Sequence, residues 1–193
     1  MTILVDIDGV VFNTQEMLLK WLNPRYLTKY TIEDITSYDW FDKTFDNPWK
    51  IMEHDTFWHT VKANKQAIDY ILKWKHEGHT IKFVTASYYH QALPTKIHKL
   101  LDYFNGEFDD KDVIVCHDKN MVVGTLLIDD CFDNCDNFHS HSIVYNQPWN
   151  EYEKSKRKFF DSNIVLRTNN WLSIDGAVRL ILSKTLDFDS CKK

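Results

Sequence analysis

Four aspartates stand directly after short apolar runs, and together they are the most concentrated chemistry in the chain. Asp6 and Asp8 follow Thr2 to Val5, and Asp129 and Asp130 follow Thr125 to Ile128. A third run, Thr80 to Val84, closes in Thr85, Ala86 and Ser87. A brief run rich in β-branched residues that breaks off in polar ones has the pattern of a buried strand opening into a loop. In an open parallel sheet ligands bind beyond the carboxyl ends of the strands, so residues at those ends can share one site. Four carboxylates then meet at one edge. That crowding of like charge is costly unless a cation neutralises it. Oxygen ligands without an accompanying histidine favour Mg²⁺, which keeps waters and shares its shell with a substrate phosphate. A lone Asp-x-Asp-Gly is as readily a turn or a helix cap. Two acidic pairs with a hydroxyl-bearing strand end between them are a stronger signal than either pair alone.

The elements that must position these residues are legible from periodicity. Val113 to Cys116, Ser142 to Tyr145 and Ile164 to Leu166 repeat the short apolar pattern, giving six expected strands. Between them lie segments of helical period. Asn64 can cap a helix with Ala67, Ile68, Ile71 and Leu72 on one face, and Gly78 suits its end. Pro94 suits the first turn of a helix whose face is Ile97, Leu100, Leu101 and Phe104. A last helix aligns Ile174, Ala177, Val178 and Ile181. Alternating strands and amphipathic helices predict an α/β fold, a doubly wound parallel sheet covered on both faces. Residues 14–61 break the alternation, being polar and aromatic without a strand pattern. The expected organisation is a core of 1–13 and 62–193 with a small helical insertion, 14–61, after the first strand.

Composition narrows the function classes. The 193 residues carry 23 Lys+Arg against 28 Asp+Glu, a formal charge of −5, so no general attraction to nucleic acid or an anionic membrane follows. At 44% hydrophobic and 26% charged the chain is a folded globular type, with length for one domain of ordinary size. Four unevenly placed cysteines do not make a secreted disulfide scaffold, and no basic and apolar leader precedes Asp6. The expectation is a soluble cytoplasmic protein. The basic patch Lys154 to Lys158 reads as a solvated helix face.

DIDGVVFNT with Asp6 and Asp8, then VTAS, a lysine, and LLIDD resemble the four signature motifs of the haloacid dehalogenase superfamily of phosphohydrolases. More narrowly, KIHKLLDYFNGEF, CHDKNMVVGTLLIDDCFDN and RTNNWLSI resemble the 5′(3′)-deoxyribonucleotidases, including phage and bacterial members. The resemblance implies a haloacid dehalogenase-like sheet with residues 14–61 as a cap, and a Mg²⁺-dependent phosphomonoesterase acting on deoxyribonucleoside monophosphates. Asp6 would be the nucleophile and Asp8 the general acid and base. The metal would be held by Asp6, the Asp8 carbonyl and the Asp129/Asp130 pair, with the direct member of that pair left open. Thr85, Ala86 and Ser87 would meet phosphate oxygens, as would Lys96, the third-motif lysine, with Lys119 as another phosphate-side or structural lysine. His117 stands where relatives often have Arg. Phe12 and Trp40 or Phe41 are the candidate sugar and base contacts. The implied partner is a small nucleoside monophosphate, with no membrane or nucleic acid expected and a homodimer left open.

Three other readings compete. Cys131, Cys135, His139 and His141 have a spacing open to zinc, although a two-turn helical span is long for one tetrahedral ion. A receiver-type domain also gathers acids, Thr and Lys around Mg²⁺, but has no use for Asp8 as a hydrolytic base. A phosphatase for sugar phosphates, phosphoglycolate or nucleic-acid 3′ ends would share the catalytic set.

Overall fold

A computed structural model of the protein describes residues 1–86, 91–151 and 163–190. Ser87, the Lys154 to Lys158 patch and Cys191 lie outside the described residues. Strands β1 (Thr2–Val5), β2 (Thr80–Thr85), β3 (Val113–Val115), β4 (Leu126–Asp129), β5 (His141–Tyr145) and β6 (Ile164–Thr168) form one sheet. Its order is β3-β2-β1-β4-β5-β6, and every pairing is parallel. The chain builds β2 and β3 on one side of β1 and then crosses to build β4, β5 and β6 on the other. The order therefore reverses between β1 and β4, which is where such sheets open a crevice at their carboxyl edge.

Register makes this topology chemically specific. Val5 lies opposite Phe83 on β2 and opposite Ile128 on β4. Asp6 and Asp129 are thus the next residues on adjacent strands, with Thr85 two residues beyond Phe83. The central strands are apolar because both faces are covered: Ile3, Leu4, Val5, Leu126, Leu127 and Ile128 are fully buried.

Helix α4 (Lys65–His76) is capped by the Asn64 side chain, which accepts from the backbone N–H groups of Gln66 and Ala67. Pro94 sits in the first turn of α5 (Leu93–Asp102), as its fixed φ favours. That helix departs from expectation in one telling respect. Leu100 and Phe104 are fully buried and Ile97 only partly, yet Lys96 is 2% exposed. Helix α7 (Trp171–Ser190) buries Ile174, Val178 and Ile181 as its stripe predicts. β3 stops one residue short of Cys116, and β6 runs two residues past Leu166.

Residues 14–61 contribute α1 (Thr14–Tyr26), α2 (Trp40–Thr44), α3 (Asp55–Thr60) and 3₁₀ turns at Ile32–Asp34 and Pro48–Glu53, with no strand. Leu18, Phe41 and Phe57 belong to the same buried cluster as Ile3 and Val5, so this segment packs onto the sheet's own core. Its aromatics mostly pack on one another. The Trp40 ring lies 5.1 Å from Tyr30, 5.2 Å from Phe41 and 5.8 Å from Phe45, centroid to centroid, all near perpendicular.

Candidate active site

The acidic residues meet as their strand positions dictate. Carboxylate oxygens of Asp6, Asp129 and Asp130 lie within 4.8 Å of one another, and all three residues are buried. Lys119 reaches into the group from the 3₁₀ turn Lys119–Met121. Its Nζ donates to Asp6 Oδ1 and, at 2.6 Å, to Asp129 Oδ2. Burial pushes the Asp6 carboxyl up to about 7 against the pull of Lys119, with Asp129 and Asp8 adding repulsion. Asp130 is likewise raised, by burial first and then by the charges of Asp6 and Asp129. Burial works against the Lys119 ammonium, but Asp129 and Asp6 outweigh it and hold it above the usual lysine range.

Asp8 belongs to a second, more open pole. β1 ends at Val5, and the chain turns through Ile7, whose carbonyl accepts from Val11 and Phe12. Asp8 therefore faces the site from a turn and not from an extended strand. Gly9 permits that turn at φ +78°, and any Cβ there would lie 2.5 Å from Asp130 Oδ2. Asp8 Oδ1 accepts from Thr14 Oγ1 at 2.7 Å, and Oδ2 accepts from Lys96. Lys96 also donates to Thr85 Oγ1 at 2.8 Å, and its Nζ lies 5.0 Å from the centroid of Trp58, which is buried. The buried lysine of α5 is thus explained by its partners. Lys99, the alternative on the same helix, instead lies over Tyr103 at 5.2 Å.

The two carboxylates of the Asp129/Asp130 pair are held differently. Asp129 Oδ1 accepts from the Cys131 N–H at 2.8 Å, and Oδ2 accepts from Lys119 and, at 3.1 Å, from Asn134. Asp130 Oδ2 accepts from Trp149 Nε1 at 2.8 Å. Among the described residues both oxygens of Asp129 are engaged by donors, whereas one of Asp130 is. Sequence reasoning missed Thr14, Asn134, Trp149 and Asn150. The signal for the last two was present, since QPWN follows the apolar run ending in Tyr145 and so lies at the same sheet edge as the aspartates.

Not every expected residue reaches the site. Phe12 is fully buried with its ring edge-on to Tyr103, and Phe41 is 1% exposed inside the aromatic cluster. Both pack within the main buried cluster. The zinc reading also loses its geometry. Helix α6 (Phe132–Asn137) ends before His139, Cys135 is buried against the Ile143 carbonyl, and His141 lies in β5. Among the described residues the one metal-capable group is Asp6, Asp129 and Asp130. No described helix is long and apolar enough to cross a membrane.

The parallel sheet of this order, with an acid pair after its central strand and another after the neighbouring one, has the fold of haloacid dehalogenase-like proteins. Solved structures carry the same fold. A HAD family hydrolase from Deinococcus radiodurans R1, with bound phosphate and sodium, superposes with a TM-score of 0.61 at 12% identity, covering 93% of this chain and 95% of that one. A haloacid dehalogenase-like protein from Agrobacterium tumefaciens gives 0.59 at 9% identity, covering 94% and 98%. The particular family is fixed by residues 1–180, which match the family described as 5′ nucleotidase, deoxy (pyrimidine), cytosolic type C protein (NT5C), and the chain belongs to it. The 5′(3′)-deoxyribonucleotidases of Bacillus subtilis (strain 168) and of Bacillus phage SPbeta are each 25% identical over 181 residues, covering 90% of this chain and 95% of the relative. The protein is accordingly a phosphomonoester hydrolase of the nucleotidase type, which sets the receiver reading aside.

Proposed function

We propose that the protein is a Mg²⁺-dependent nucleotidase that removes phosphate from deoxyribonucleoside monophosphates through a phosphorylated Asp6. The observation that carries this reading is the convergence of Asp6, Asp129 and Asp130, three buried carboxylates against the single ammonium of Lys119. An all-oxygen, net acidic donor set fits a hard divalent cation. Asp6, Asp130 and the Asp8 carbonyl would hold it, with Asp129 orienting Lys119. Such an ion supplies charge to offset a phosphoryl group beside carboxylates.

The remaining steps fall to the chain's own side chains. Asp6 attacks phosphorus, the ester oxygen leaves, and Asp8 gives that oxygen its proton. Asp8 then takes a proton from the water that hydrolyses the acyl phosphate. Lys96 and the Thr85 hydroxyl, already paired with each other, meet the phosphate oxygens from the Asp8 side, with the Ala86 N–H as the adjoining donor. Residues 14–61 act as the cap: Tyr38 donates its hydroxyl to the Asp130 carbonyl and Trp58 lies against Lys96. Of the aromatic candidates, Trp40 keeps partial exposure and is the one retained for contact with the nucleoside.

Release of inorganic phosphate from dUMP, dTMP, their 3′ isomers, ribonucleotides and sugar phosphates, with Mg²⁺ and with EDTA, tests the proposal. Turnover that needs the metal and prefers deoxyribonucleotides is expected. Equal rates across the panel would remove the nucleotide preference, and undiminished rates in EDTA would remove the metal.

A further inference from the structure

Behind Asp130 lies a polar assembly that the catalytic reading leaves unused. It is built from the turn after β5 and from one residue of β6. Asn150, fully buried, donates from Nδ2 to the Asp130 carbonyl at 2.7 Å and to the Tyr145 carbonyl at 2.9 Å. A single amide nitrogen thereby ties the end of β4 to the end of β5. Arg167 donates from Nη2 to Asn150 Oδ1 at 2.9 Å and to the Asn150 carbonyl at 2.5 Å, and from Nε to Asn146 Oδ1 at 2.8 Å. Since guanidinium has donors only, an Asn150 oxygen turned to Arg167 forces its nitrogen toward Asp130. Trp149, 3% exposed, completes the set by donating its indole N–H to Asp130 Oδ2.

The cost of this arrangement argues for a purpose beyond holding a turn. The Arg167 side chain is 5% exposed and pairs at 3.6 Å with Glu151, whose side chain is 56% exposed. A guanidinium buried on its own side of a pair whose carboxylate is largely solvated is an expensive fastener compared with apolar packing. What it secures is the backbone and one oxygen of a residue in the acidic cluster. Gly9 adds to the point, because a Cβ there would also press on Trp149 Cζ2 at 3.1 Å. Trp149 and the catalytic turn are packed against each other.

We propose that Trp149, Asn150 and Arg167 form a positioning unit for the metal site: Arg167 sets the Asn150 amide, Asn150 and Trp149 fix Asp130, and Asp130 presents its remaining oxygen to a divalent cation. None of the three touches the reacting atoms. Partners that orient a metal-binding carboxylate commonly set metal affinity by 10- to 100-fold. The inference rests on the metal-dependent reading above, so metal binding is measured on nucleotide-free protein before turnover.

Two conservative variants test it, with folding followed by circular dichroism and thermal melting. Trp149→Phe keeps the aromatic ring and removes the N–H, and Arg167→Lys keeps the charge and removes the planar fork. Binding of Mn²⁺ is read by electron paramagnetic resonance and of Mg²⁺ by calorimetry. We expect the metal Kd of Trp149→Phe to rise about 10- to 100-fold, with a smaller rise for Arg167→Lys. The double variant should be weakened less than the product of the two, as members of one unit are. Saturating Mg²⁺ should restore most of kcat in each, with KM for the nucleotide unchanged. An unaltered metal Kd in folded Trp149→Phe, or a kcat that high Mg²⁺ does not restore, overturns the positioning role. A wild-type protein that binds no divalent ion overturns the metal reading itself, which is a separate outcome.

Discussion

The site has two lysine–aspartate poles built to different specifications. At the inner pole Lys119 lies between Asp6 and Asp129, with side chains 3%, 7% and 1% exposed. At the outer pole Lys96, 3% exposed, pairs with an Asp8 side chain that is 24% exposed. Among the described residues the inner pole gathers three acids around one ammonium, an excess that a bound cation or a held proton would offset. The outer pole is balanced, one to one, and shares its proton-bearing groups with Thr14 and Thr85. In the proposed mechanism the contrast would separate the tasks: an excess of acidic groups where a metal and a nucleophile would sit, and a more accessible, lysine-paired carboxyl where a proton would come and go.

The largest expected effect breaks the inner pole. Asp6→Asn removes the proposed nucleophile while keeping its size, and phosphate release should fall by on the order of 10³-fold or more, with the circular dichroism spectrum intact. A rate within tenfold of wild type would contradict the assignment. Asp8→Asn should cost about 10²- to 10⁴-fold and flatten the pH–rate profile, since it removes a group that exchanges protons. A profile identical in shape to wild type would move the acid–base role elsewhere.

Stability sharpens the comparison. Lys119→Met takes the only described cation from a buried acidic cluster, and in EDTA it should destabilise the fold by about 3–5 kcal/mol, with Mg²⁺ recovering part of the loss. A melting temperature unchanged in EDTA would show that the cluster does not depend on this lysine. The pH dependence has a defined sign. In the metal-free protein the Asp6 carboxyl is raised from 3.8 to about 7, so the folded state holds a proton that the unfolded state releases. Its contribution to stability is full below pH 4 and is lost as pH climbs to 7. Thermal melts in EDTA should therefore weaken over that window, and stabilisation by Mg²⁺ should be greater at pH 7 than at pH 5. The smallest effect belongs to a surface pair. Lys65 and Asp69 are 85% and 56% exposed, and Asp69→Asn should change stability by less than about 0.5 kcal/mol.

Most of the sheet was legible because a central parallel strand has no choice of composition. Ile3 to Val5 and Leu126 to Ile128 are apolar on both faces, so their ends are marked by the first polar residues, which are Asp6 and Asp129. Residues 14–61 were legible only as helical. Their short α-helices and 3₁₀ turns are fixed by contacts distant in sequence, such as Trp21 Nε1 to Thr60 Oγ1 and Tyr26 Oη to the Asp46 carbonyl. Aromatic content alone did not say which rings stay partly exposed, and Phe12 and Phe41 pack within the main buried cluster. The division of labour between lysines was also hidden, because Lys96 and Lys119 look alike in sequence and differ in which aspartate the fold sets opposite them.

Acid-quenched turnover followed by peptide mass mapping tests the central claim most directly. With a deoxyribonucleoside monophosphate and Mg²⁺, the peptide containing Asp6 should carry an added phosphoryl group during turnover and lose it in EDTA. Phosphate found on another residue, or none on Asp6 while product accumulates, would contradict the account.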